Sequence, residues 1–158
     1  MTTSTASIVL DEFYPHAIET VWRALTDRKA IEAWYAKNDF EAMEGRDFAF
    51  QMQPLPEFEF DGVVHCKVLE VDPPRRLVYA DRRGTPGNPW FLDTVVSFNL
   101  EPADRDGVVG TILHFEQSGF DVTSRLGQIA HPGMSHGWKT ILSERLPALL
   151  RGGRNGRL

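Results

Sequence analysis

The spacing of apolar residues moves from strand-like to helical, then to alternation, then back to helical. Ile8 to Phe13 is rich in β-branched and aromatic residues and predicts a first strand. Pro15 closes it and opens a helix, on which Ile18, Val21, Trp22 and Leu25 recur at helical spacing. Asp27 is placed to cap a second short helix, with Ala30, Ile31 and Trp34 on its inner face.

The middle of the chain is nearly all β. Phe48, Phe50 and Met52 alternate with Asp47, Ala49, Gln51 and Gln53, as in a half-buried strand. Phe58 and Phe60 alternate with Glu57, Glu59 and Asp61 and predict another. Val63 to Val71 is apolar at both parities, which a face-switching bulge would explain. Asp72-Pro73-Pro74 turns the chain into a strand that begins with Leu77 and Tyr79, and Arg83 to Pro89 reads as a loop. Val96, Phe98 and Leu100 share one face, as do Leu113 and Phe115 beyond a turn at Asp104 to Gly107.

The end is helical. Leu126, Ile129 and Ala130, then Met134, Trp138, Ile141, Leu142 and Leu149, follow helical spacing. Pro132 is expected to start the main helix, because inside one it would break a backbone bond, and Pro147 to kink only its last turn. The simplest packing of these parts is a curved antiparallel sheet closed on one side by a long helix, an α+β fold.

Length and composition fit one domain over residues 1–150, with a basic, Gly-rich stretch at 151–158 expected to be a disordered tail. The net charge of -5 argues against nucleic-acid binding, which draws on clustered Lys and Arg. A single cysteine, Cys66, allows no intrachain disulfide. No signal peptide and no apolar run of bilayer length is visible, so the expectation is a cytoplasmic protein without membrane insertion.

Few motifs point to chemistry. Gly133-Met134-Ser135-His136-Gly137 matches the G-x-S-x-G pattern, but no strand precedes it and no acid–histidine pair follows. Its plainer reading is that small residues let a helix approach the sheet. His65 and Cys66 are strand neighbours and point to opposite faces, so the one cannot activate the other. His114 and Glu116 form an H-x-E pair with no second cysteine to complete a zinc deaminase site. The histidines are scattered, no phosphate or dinucleotide loop is present, and no metal or cofactor is expected.

Longer segments carry a resemblance. Val21-Trp22-Arg23-Ala24-Leu25-Thr26-Asp27 followed by Trp34 resembles the opening helix of bacterial proteins similar to the C-terminal domain of the heat-shock-protein-90 ATPase activator. Val68 to Tyr79 resembles that family's central hairpin, and Val96 to Pro102, Gly110-Thr111 and Ser118-Gly119-Phe120 its next strands. Gly137-Trp138, Ile141-Leu142 and Leu149-Leu150 resemble its closing helix. The resemblance implies the START-like (helix-grip) fold, in which about six to seven antiparallel strands grip a C-terminal helix. Proteins of that fold include lipid carriers, hormone receptors and polyketide cyclases, so the fold does not settle function. Where the family pattern often has an aromatic after Tyr79, this chain has Asp81. It shares parity with Leu77 and Tyr79. The expectation is a strand end in water; the alternative is an inward anchor for a ligand's polar group.

The aromatic load is read either as core filling or as the lining of a cavity. On the second reading a small apolar ligand lies against a wall of Phe48, Phe50, Met52, Tyr79, Val96, Phe98, Leu113 and Phe115. Met134, Trp138 and Ile141 close it and Asp81 orients it, without turnover. An enzyme such as a cyclase or hydrolase would need Asp81, His114 or Glu116 as acid or base, and strand parity turns the last two to solvent. A chaperone contact or a homodimer would need an apolar outer face, whereas Ser97, Asn99 and Glu101 are polar.

Overall fold

A computed structural model describes residues 5–152 except 59, 86, 88 and 89. Strand β1 (Thr5–Tyr14) leads into helices α1 (Ile18–Thr26) and α2 (Arg28–Trp34), then the short β2 (Lys37–Asn38) and β3 (Asp47–Gln51). Four long strands follow: β4 (Val63–Asp72), β5 (Arg76–Arg83), β6 (Leu92–Arg105) and β7 (Val108–Asp121). Helix α3 (Arg125–Thr140), a π turn (Ile141–Arg145) and helix α4 (Leu146–Gly152) end the described chain. The strands form one antiparallel sheet in the order β1-β7-β6-β5-β4-β3-β2. This is the helix-grip arrangement.

Local chemistry explains the breaks between elements. Asp27 accepts a hydrogen bond from the Ala30 amide at 3.0 Å and so caps α2. The β6–β7 hairpin turns on Asp106 (φ 53°) and Gly107 (φ 83°), the positive pair that matches strand twist. In β4, Val68 pairs with Tyr79 and Glu70 with Val78, so Leu69 is bulged out, as the double parity of that segment predicts. A second bulge lies in β7, where Ser118 pairs with Ser7 and Phe120 with Ala6, skipping Gly119 at φ 98°. It turns both Gln117 and Phe120 inward, where each is fully buried.

The concave face of the sheet carries the core, with Tyr14, Leu77, Phe98 and Leu113 packed beneath Val21, Leu25, Trp34, Trp138 and Leu142 of the helices. The Trp34 indole donates to the Ala24 carbonyl at 2.8 Å and joins α2 to α1.

Three expectations are corrected. Helix α3 starts at Arg125, capped by Ser124 whose hydroxyl accepts from the Gly127 amide at 3.0 Å, and not at Pro132. Pro132 lies mid-helix on an exposed face, where water can satisfy the freed carbonyl. Pro56–Phe58 forms a 3₁₀ turn and Phe60 a lone bridge to Leu55, so the alternation there is not a strand. Strand β5 runs through Arg83 rather than giving way to a loop there. Of the expected tail, Arg151 and Gly152 belong to α4 and the rest lies outside the described residues.

Candidate functional site

A polar row crosses the middle of the concave face. Asp81 on β5 stands opposite Cys66 on β4 and Thr94 on β6. The Thr94 hydroxyl donates to the Asp81 carbonyl at 3.1 Å and accepts from Gln117 Nε2 at 2.8 Å. Gln117 Oε1 in turn accepts from the Trp138 indole on α3 at 2.8 Å. Each of these buried polar groups has a partner, as burial demands.

The Asp81 carboxylate is bound by Arg83, two residues along the same strand and on the same face. Nε reaches Oδ1 at 3.0 Å and Nη2 reaches Oδ2 at 3.2 Å. Nη2 also donates to the Tyr35 hydroxyl at 3.2 Å. The Tyr35 ring stacks on Trp138, with centroids 5.0 Å apart at 24°. The row therefore closes into a ring: Asp81, Thr94, Gln117, Trp138, Tyr35, Arg83 and back to Asp81.

Burial pushes the Tyr35 phenol up to about 12, against the pull of the Arg83 charge. Burial alone would weaken the Arg83 proton, but the Asp81 charge outweighs it and holds the guanidinium cationic. Burial, with Asp81 adding to it, also raises the Cys66 thiol well above its ordinary range and leaves it an unreactive core group.

Two cavities open beside this ring. The inner one, nearer the ring although the more open of the two, measures about 200 Å³ and is bounded by Tyr35, Met52, Trp138 and Ile141. The outer one, about 150 Å³, runs between Leu55, Phe58, Phe60 and Phe91 and the first turns of α3. Arg83, Gly133 and Met134 belong to both walls, so the two form one groove. Gly133 and Gly137 sit mid-helix, where glycine costs about 1 kcal/mol relative to alanine. A Cβ built on either would meet nothing within 4 Å. The G-x-S-x-G glycines therefore do not bring helix and sheet together, as the plain reading of the motif had it. They leave space where side chains would stand.

A profile of the family described as "Activator of Hsp90 ATPase homolog 1-like protein" matches residues 15–151. The chain belongs to that family. Among solved structures of similar proteins, MLL2253 from Mesorhizobium loti is 33% identical with a TM-score of 0.77, covering 92% of this chain and 97% of its own. BH1534 from Bacillus halodurans is 25% identical with a TM-score of 0.70, over 94% of this chain and 99% of its own. CalU16 from Micromonospora echinospora is 25% identical with a TM-score of 0.67, over 96% and 86%. No curated protein matches the chain.

In this chain the residues singled out from sequence divide into two layers. Met52, Met134, Trp138 and Ile141 line the inner cavity. Phe48, Phe50, Tyr79, Val96, Phe98, Leu113 and Phe115 are buried in the core beneath it and line neither cavity. Their rings pack edge to face, Phe48 on Tyr79 at 5.3 Å and Phe98 on Phe115 at 5.2 Å. Asp81 does not end its strand in water: it is fully buried, because β5 continues and supplies Arg83 as its partner. His114 is on the outer face, bound to Asp11 at 2.7 Å and Glu101 at 3.3 Å, and Glu116 is exposed there too.

Sequence reasoning missed Tyr35, Arg83 and, apart from Met134, the outer-cavity residues. Arg83 carried a signal, since it shares parity with Asp81. Tyr35 ends α2 and carried none. Among the described residues no group of three or more His, Cys, Asp or Glu is placed to hold a metal, and no helix is long and apolar enough to cross a membrane.

Proposed function

We propose that this protein binds a small apolar molecule, without turnover, in the groove beneath α3. The observation that carries this reading is the pair Gly133 and Gly137. Two helix-weakening residues stand on the groove wall where alanine would fit without a clash. Core packing gives no reason for them, and open space for a ligand does. The wall is otherwise built from Met52, Met134, Ile141, Phe58 and Phe91, with one polar corner at Arg83. Apolar burial would supply affinity and the polar corner orientation. Of the acid–base candidates, Asp81 has both carboxylate oxygens engaged by Arg83, and His114 and Glu116 stand on the far side of the sheet. That favours binding over catalysis.

Native mass spectrometry of protein purified without lipid or detergent tests the reading. An extra mass that is lost on denaturation supports it. A bare chain that also takes up none of a panel of fatty acids, flavonoids and polyketides overturns it.

A further inference from the structure

The polar corner specifies more than an apolar ligand. Tyr35 and Arg83 both line the inner cavity. The Tyr35 hydroxyl accepts from Arg83 Nη2, and among the described residues its own O–H donates to no acceptor. Nη1 of Arg83 likewise makes no hydrogen bond among the described residues. Trp138, the other polar side chain on that wall, commits its N–H to Gln117. The Asp81 oxygens face Arg83, and that side chain is 1% exposed. Among the described residues, the side chains on that wall therefore offer two uncommitted donors, and their one spare oxygen lone pair is on the Tyr35 hydroxyl. A corner in which donors outnumber acceptors favours a ligand with acceptor atoms.

Charge narrows the class further. The guanidinium lies 3.0 Å from a carboxylate of opposite sign, so the pair is neutral overall. A carboxylate ligand entering beside it would lose its hydration and meet a field that Asp81 largely cancels. A ketone, lactone or quinone oxygen gives up much less water and gains the same two hydrogen bonds. The stacked Tyr35 and Trp138 rings, with the soft Met52 and Met134 beside them, suit a flat aromatic body. Burial raises the Tyr35 phenol to about 12, so it stays a donor at neutral pH.

We infer that the groove takes a neutral aromatic carbonyl compound, its oxygen held between the Tyr35 hydroxyl and Nη1 of Arg83. This rests on the reading of the groove as a small-molecule site.

Three probes of one shape separate the possibilities by isothermal titration calorimetry: 2-acetylnaphthalene, 2-ethylnaphthalene and 2-naphthoate. The ketone is expected to bind about tenfold more tightly than the hydrocarbon, the size of one or two net hydrogen bonds, and more tightly than the carboxylate. Tyr35→Phe, which removes only the hydroxyl, should weaken the ketone severalfold and leave 2-ethylnaphthalene unchanged. Equal binding of ketone and hydrocarbon, tighter binding of the carboxylate, or a ketone affinity unmoved by Tyr35→Phe would each overturn the inference while leaving an apolar site in place. Binding of none of the three would remove the site itself.

Discussion

Arg83 reaches back along its own strand to hold Asp81, two residues earlier, through two hydrogen bonds of 3.0 and 3.2 Å. The pair is largely buried, with side-chain exposures of 13% for Arg83 and 1% for Asp81. A buried ion pair is a weak source of stability when intact, but removing one partner leaves a poorly solvated charge without its counterion. Asp81→Leu or Arg83→Met alone should therefore cost about 3–5 kcal/mol. The double variant should cost much less than the sum, because it leaves no orphan charge. Urea unfolding of all four proteins measures this. Additive losses would show that the two side chains do not act as a unit.

The glycines of α3 make a prediction of opposite sign. Gly133→Ala and Gly137→Ala meet no neighbour within 4 Å, so each should stabilise the fold by about 0.5–1 kcal/mol through helix propensity. The melting temperature should rise by about 1–4 °C per substitution. Both positions line the groove, so a larger residue there, such as Gly137→Leu, should fill it and abolish uptake of an apolar probe. A fall in melting temperature for the alanine variants would mean that close packing, rather than open space, explains the glycines.

The contrast between these two places shows what was legible in the sequence. Strand alternation placed Val96, Phe98, Leu113 and Phe115 on one face, and the double parity of Val63 to Val71 gave the bulge now seen at Leu69. Those features follow from period, which is local. The groove does not. Whether Phe48 or Met52 meets a cavity depends on where α3 crosses the sheet, and no local pattern encodes that. Phe48 lies deep in the aromatic cluster while Met52, four residues on, lines the groove. Asp81 was visible as an exception to the pattern, but its partner was assigned to a loop because Gly84, Pro86 and Gly87 mask the end of β5. Pro132 misled in the same way. It marks a helix start by rule, yet a strong cap at Ser124 and an exposed position allow the helix to run through it.

The outer face of the sheet carries its own pH dependence. His114 is held between Asp11 and Glu101, and hydrogen bonds to those two carboxylates raise its pKa above 6.5. A histidine whose folded pKa exceeds its unfolded value adds stability that is full below the unfolded value and lost as pH rises through the folded one. The stability difference between the native protein and His114→Gln should thus be largest in mildly acidic solution and vanish in mildly alkaline solution. The site is open to water, so about 1 M salt should shrink the difference. Unfolding by urea across that pH range checks it. A difference independent of pH would mean that the ring contributes by shape alone.

Tyr14 has a structural task set by the end of the chain. In an α-helix the Leu142 carbonyl would accept from the amide of residue 146. Here the Leu146 amide instead reaches the Ile141 carbonyl, completing the π turn. The next candidate donor, residue 147, is proline and has no N–H. Leu142 is fully buried, so its carbonyl has no water to turn to. The Tyr14 hydroxyl, from the far end of β1, donates to it at 2.7 Å. Burial raises the Tyr14 phenol well above its ordinary value, so the donor proton is retained at any ordinary pH. Tyr14→Phe removes that proton with little change of shape and should cost about 1–3 kcal/mol, the penalty for an unmet buried acceptor. Pro147→Ala restores an amide at the position able to serve the freed carbonyls. In that background Tyr14→Phe should cost clearly less. A double-mutant cycle by urea unfolding reads the coupling directly. Strict additivity would show that Tyr14 and Pro147 act independently, and that the tyrosine is kept for its ring rather than its hydroxyl.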